Sequence, residues 1–141
     1  MRFPLNIAIG RNTTTAQSIA AQHGAGVHHV AFGCHGLLDL VESLRTAGAP
    51  LLHIPDNYYE DLALRFDLPE ALIERMRRLG VLYDRQGDGE FLHVYTEPFQ
   101  GRFFFEFVER LGGYDDYGAV NAPARMAAHS RLMRQGAAAE A

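Results

Sequence analysis

The stretch "GRFFFEFVERLGG", residues 101–113, decides how this chain is read. Phe103, Phe104, Phe105, Phe107 and Val108 stand between glycines, the pattern of a buried strand. Glu106 interrupts them. An ionised carboxylate is costly in such a place unless its pKa rises, a cation pairs with it or a metal binds it. Alternation puts Arg102, Phe104, Glu106 and Val108 on one face of the strand. The segment before it, "VLYDRQGDGEFLHVYTEP" (81–98), reads as a hairpin with "QGDGE" as its turn and Asp88-Gly89 as the turn signal. Its second strand carries Phe91, His93 and Tyr95 on one face. If the two strands pair, His93 comes close to Glu106, although the register is not fixed by the sequence.

Working outward, "GVHHVAFGC" (26–34) is a second strand, with Val27, His29 and Ala31 on one face and His28, Val30 and Phe32 on the other. "HGLLDLVESLRTAGA" (35–49) is a helix with Leu37, Leu40, Val41 and Leu44 as its apolar stripe and Gly48 as its stop. "PLLHIP" (50–55) reads as a short strand. "DNYYEDLALRFD" and "LPEALIERMRRLG" read as two helices, the second with Pro69 near its start and Gly80 at its end. At the N-terminus, "RFPLNIAI" (2–9) is expected to be an edge strand because of Pro4, and Thr13 or Thr14 caps a brief helix that ends at Gly24. "APARMAAHSRLMRQ" forms a terminal helix, and the tail 136–141 is expected to be disordered. The predicted class is α+β, with one helix backing a mostly antiparallel sheet, in a single unit over 1–135.

Composition narrows the function classes. The chain has 141 residues, net charge −4, one cysteine and 48% hydrophobic residues, as expected of one soluble globular domain. No basic footprint for nucleic acid is present. All 13 cationic residues are arginine, which excludes Schiff-base chemistry through lysine and a Walker A loop. The lone Cys34 fits a reducing, cytoplasmic setting, and no apolar run reaches the ~20 residues of a membrane span.

His29, His93 and Glu106 are the residues whose types suit metal chemistry. Two histidines and one carboxylate on neighbouring strands match the facial triad of non-haem Fe(II) enzymes. Each also has a plainer reading: a hydrogen-bonded core histidine, or a glutamate paired with an arginine. No HxH or HxxxH spacing supports a metal. Cys34 has no signature around it. Asp56, Tyr58, Tyr59 and Asp61 could line a pocket or cap a helix, and Arg75, Arg77 and Arg78 read as a solvated helix face.

Taken together, "GVHHVAF", "IPDNYYEDL", "LGVLYDRQGDGEFLHVYTEP" and "RFFFEFVERLGGYDDYGAVNAP" resemble, in that order, the C-terminal part of 4-hydroxyphenylpyruvate dioxygenases of the vicinal-oxygen-chelate superfamily. The likeness runs from about Arg2 to Asn121 and is nearest to the dioxygenase-like domain of bacterial bifunctional 3-dehydroshikimate dehydratases. It implies a βαβββ module with an extra N-terminal strand, residues 1–10 being the last strand of a preceding module that the chain lacks. It also implies Fe(II), or Mn, Co or Mg, held by His29 and Glu106, with His93 and Asn121 as groups facing the substrate. That substrate would be an aromatic 2-oxo acid or a shikimate-type compound. The family's other histidine ligand lies in the preceding module, so a partner module or a homodimer is implied, with His93 as another source of a third nitrogen. Ala122 stands where the dioxygenases carry a phenylalanine, which favours the dehydratase-fusion relatives. The rival expectation is a non-catalytic structural or oligomerisation half-domain.

Overall fold

The phenylalanine run becomes an inner strand of a four-stranded sheet. The structure is a computed structural model and describes residues 3–5, 7–10, 13–100 and 102–139. Strands β1 (His29–Gly33), β2 (Leu82–Gln86), β3 (Gly89–Tyr95) and β4 (Phe104–Leu111) lie in the order β1-β4-β3-β2. β4 runs parallel to β1 and antiparallel to β3. Helices α1 (Thr14–Ala21), α2 (Leu37–Thr46), α3 (Asp56–Arg65), α4 (Glu70–Leu79) and α5 (Ala122–Ala139) complete the α+β unit, with a 3₁₀ turn, Ala119–Asn121, before α5.

The alternation read from the sequence separates the two faces of the sheet. Leu92, Val94 and Phe107 join a core with Leu37 and Val41 of α2, Tyr59 and Leu62 of α3, and Ile73, Met76 and Leu79 of α4. α2 lies against β3 and β4, and α4 packs on α2 and α3, so the backing is more than the single helix expected. Arg75 and Arg78 reach back to Glu42 at 3.0 and 2.9 Å, and Arg75 also pairs with Asp39. The arginine face of α4 therefore ties it to α2.

The start of α2 depends on a residue far along the chain. Its N-cap position is Gly36, in the left-handed region at φ 66°, with no side chain to satisfy the first amides. Glu109 of β4 acts as the cap instead, and the amides of Gly36 and Leu37 donate to its Oε1 and Oε2 at 2.6 and 2.9 Å. A carboxylate at a helix N-terminus also meets the positive end of the helix dipole.

Four expectations need correction. Among the described residues of 3–10 no strand forms; Phe3, Leu5, Ile7 and Ile9 are 80–97% exposed. An extended segment becomes a strand only when a neighbour takes up its backbone groups. Arg2 and Asn6 lie outside the described residues. "PLLHIP" contributes only a single bridge, Leu51 to Thr96. The hairpin turn is Gly87-Asp88, because Gln86 pairs with Gly89; Gly87 supplies the positive φ of 59°. The tail expected to be disordered from 136 continues as helix to Ala139, in keeping with alanine's helix propensity. Residues 140 and 141 lie outside the described residues.

Replacing Glu109 by Ala leaves two amides at the head of α2 without a partner. The expected loss is about 2–3 kcal/mol of unfolding free energy, read by urea titration, with Glu109→Gln intermediate.

Candidate metal centre

Three strands deliver the site. In the parallel ladder His29 stands opposite Phe104 and Ala31 opposite Glu106; in the antiparallel ladder Tyr95 stands opposite Glu106 and His93 opposite Val108. His29, Phe104, Glu106, His93 and Tyr95 consequently share one face, as alternation required. His29 stacks on Phe104, with ring centroids 5.1 Å apart. The carboxylate of Glu106 is 6% exposed and His93 is fully buried.

Glu106 has partners on both sides. His93 Nδ1 lies 2.9 Å from Oε1, and His29 Nε2 lies 3.4 Å from Oε2. Tyr95 also hydrogen-bonds to Glu106 and to Arg125, and burial together with Glu106 pushes the Tyr95 phenol well above its ordinary pKa. The aromatic walls are Phe104, Tyr95 and Phe91, whose ring lies 4.6 Å from that of His93. α5 closes this face: Arg125 stands over the rings of Tyr95 and Phe104 at 5.6 and 5.4 Å, and His129 lies 4.7 Å from Phe104.

Behind His93 lies a polar chain that ends in the core. Asn121 Nδ2 is 2.9 Å from His93 Nε2 and 3.0 Å from the Tyr83 carbonyl. Asn121 Oδ1 is 3.0 Å from the Tyr58 hydroxyl, which accepts from the Tyr83 amide at 2.9 Å. Burial raises the Tyr58 phenol to about 12, so it keeps its proton. Gly118 makes room for this arrangement. It has φ 60°, and a Cβ there would sit 2.6 Å from the Phe91 ring and 3.3 Å from His93 Nε2.

The histidines on this side are held neutral. Burial lowers His29, opposed by the charge of Glu106 and assisted by Arg125. Its neighbour His28, whose Nδ1 is 3.2 Å from Nδ1 of His29, is pushed down to about 4 by burial, then Arg125 and His29. A neutral histidine is the form that can ligate a metal.

His29 Nε2 and Glu106 Oε2 pass a simple test for sharing an ion. At 3.4 Å they stand beyond the ~2.7–2.9 Å of a charge-assisted hydrogen bond. That spacing fits two donors each about 2.0–2.2 Å from one cation. Among the described residues no set of three or more His, Cys, Asp and Glu is arranged to hold a metal. The chain brings two donors together. His93 has both ring nitrogens occupied by Glu106 and Asn121.

All four residues singled out in the sequence, His29, Glu106, His93 and Asn121, meet at this site. Tyr58, Tyr95, Arg125 and His129 were not placed there by sequence reasoning. The signal for Tyr58 was present: a tyrosine on the apolar side of a helix needs a partner for its hydroxyl. Cys34 is half-buried, 3.5 Å from the Val108 carbonyl, away from these groups. No helix among the described residues is long and apolar enough to cross a membrane.

His129 gives this face a pH signature. Burial, Arg125 and His28 lower it to about 4, and its Nε2 is buried without a partner. The unfolded chain takes up that proton near 6.5 and the folded chain near 4, so the group makes stability fall as pH drops through this window. In His129→Phe the stability relative to wild type should rise steadily from about pH 7 to about pH 4 and stay constant above that range, as measured by urea unfolding at each pH.

No protein-family model matches the chain. It is 48% identical over 139 residues to a 3-dehydroshikimate dehydratase of Pseudomonas putida, covering 98% of this chain and 22% of that protein. It is 30% identical over 114 residues to a 4-hydroxyphenylpyruvate dioxygenase of Pseudomonas aeruginosa, covering 79% of this chain and 32% of the relative. A solved structure of a xylose isomerase-like TIM barrel/4-hydroxyphenylpyruvate dioxygenase fusion protein superposes with TM-score 0.80 at 48% identity, covering 92% of this chain and 21% of that one. The chain thus spans about a fifth of the length of its dehydratase relative. The chain is a homologue of 3-dehydroshikimate dehydratase and of 4-hydroxyphenylpyruvate dioxygenase over most of its length, and its mixed α+β sheet is that of their vicinal-oxygen-chelate fold.

Proposed function

We propose that this chain forms the metal-binding, dioxygenase-like part of an enzyme acting on a 2-oxo acid or a shikimate-type compound. His29 Nε2 and Glu106 Oε2 supply two donors for a divalent cation, Fe(II) first, with Mn, Co or Mg as the other hard or borderline choices. The observation that carries this reading is the 3.4 Å spacing of a neutral histidine and a carboxylate buried in an aromatic strand. Held by His29 and Glu106, a divalent cation would supply Lewis acidity toward a chelating substrate. The chain's own residues do the rest. Phe104, Tyr95 and Phe91 exclude water, Tyr95 and His93 hold the carboxylate, and Arg125 stands beside the aromatic walls as a cation for an acid substrate.

A second reading follows from the donor count. Two donors do not complete a facial triad, and Phe32 and Val30 on β1 stay exposed beside an open sheet edge. A preceding module, or a second copy related by two-fold symmetry, would supply the third donor and cover that edge. The TIM-barrel fusion among the structural relatives favours an upstream module.

An anaerobic Co(II) or Fe(II) titration of the 141-residue chain, with its mass in solution recorded, tests both. One cation per site is expected, with His29→Ala and Glu106→Gln each weakening binding by more than the roughly 100-fold that loss of an outer-sphere partner brings. Unchanged affinity in either variant rejects the donor assignment. A strict monomer that binds at full strength rejects the paired-copy reading.

A further inference from the structure

The hydrogen bonds behind Glu106 fix where a proton sits. The Tyr83 carbonyl can only accept, so the Asn121 atom 3.0 Å from it is the amide nitrogen. Oδ1 of Asn121 accordingly faces the Tyr58 hydroxyl at 3.0 Å and shares the phenol proton with the Tyr83 carbonyl, 3.1 Å from that hydroxyl. The second hydrogen of the amide points at His93 Nε2, 2.9 Å away. Nε2 must therefore present its lone pair, and the ring proton lies on Nδ1, 2.9 Å from Glu106 Oε1. The opposite tautomer would set two N–H groups against each other at Asn121 and a lone pair against the carboxylate. His93 is fully buried, so no water relieves either clash.

We propose that His93, held as its Nδ1–H tautomer by Asn121 and Tyr58, is a positioning residue that pins Oε1 of Glu106 and turns Oε2 toward His29. The proposal deepens the metal reading of Glu106 and rests on it for its consequence, though not for the tautomer itself. Metal-binding side chains owe their orientation to such outer partners, and the partner here is a relay of three residues drawn from α3, β3 and the 3₁₀ turn. Within this relay His93 has no lone pair left for a cation. Its place is behind the carboxylate, not beside His29 as a further donor.

The decisive experiment begins with the metal-free chain labelled with ¹⁵N-histidine. Long-range ¹H–¹⁵N correlation near neutral pH should show His93, identified by its absence in His93→Asn, protonated at Nδ1 and bare at Nε2. Asn121→Leu should abolish that pure pattern. An Nε2–H or averaged pattern in the wild type overturns the relay whatever the metal does. Co(II) affinity then tests the consequence. In His93→Asn an amide N–H replaces the one at Nδ1, and binding should stay within about threefold of wild type. In His93→Leu no donor remains, and binding should weaken roughly 10–100-fold. Equal affinities in the two variants overturn the positioning role. A wild-type chain that shows the Nδ1–H form yet binds no Co(II) refutes the metal reading of Glu106 and leaves the tautomer assignment standing.

Discussion

Everything around the site follows from one constraint: Glu106 is a carboxylate in a strand of phenylalanines, and it cannot be left without partners. Its neighbours are arranged to meet that demand. β3 brings His93 and Tyr95 from one side, β1 brings His29 from the other, and α5 lays Arg125 over the rings that shut water out. An apolar surround makes each of these contacts stronger than it would be in water, and makes the loss of any one more damaging. The same surround keeps His29 and His28 neutral.

Glu106 and Glu109 sit three residues apart on one strand, and alternation sends them to opposite faces. Glu109 satisfies the amides of Gly36 and Leu37 and is explained completely by the fold. Glu106 has no helix terminus to cap and no arginine in a direct ion pair among the described residues; its partners are two histidines and a phenol. Two identical side chains thus meet different surroundings: one caps a helix, and the other is held by histidines and a phenol.

The sequence was most informative where periodicity and burial coincide. The phenylalanine strand, the hairpin before it, the helix stripes and the face that His93 and Glu106 each take within its own strand could all be read from spacing. Elements whose existence depends on a partner could not. Phe3 to Ile9 alternates like a strand yet has no neighbour among the described residues, and Leu51 pairs for a single bridge. The hairpin turn moved by one residue because register is a property of two strands together. Asn121 entered through family resemblance alone, and Tyr58 was hidden by an equally good helix-cap reading of its segment. A hydrogen-bond relay that crosses α3, β3 and the turn before α5 leaves no local pattern to find.

The parallel pairing of β1 with β4 has a consequence for how the protein comes into being. The bonds that follow β1 and open α2 reach across about half of the chain: Gly36 to Glu109 closes a loop of 73 positions, and Cys34 to Val108 one of 74. Closures of that length come late, because their entropy must be met before any contact rewards them. While the ribosome is still making β4, α2 lacks the carboxylate at its head and His29 has no Glu106 beside it. A nascent chain therefore keeps His29 apart from Glu106, and the buried pair forms only once β4 has zipped against β1.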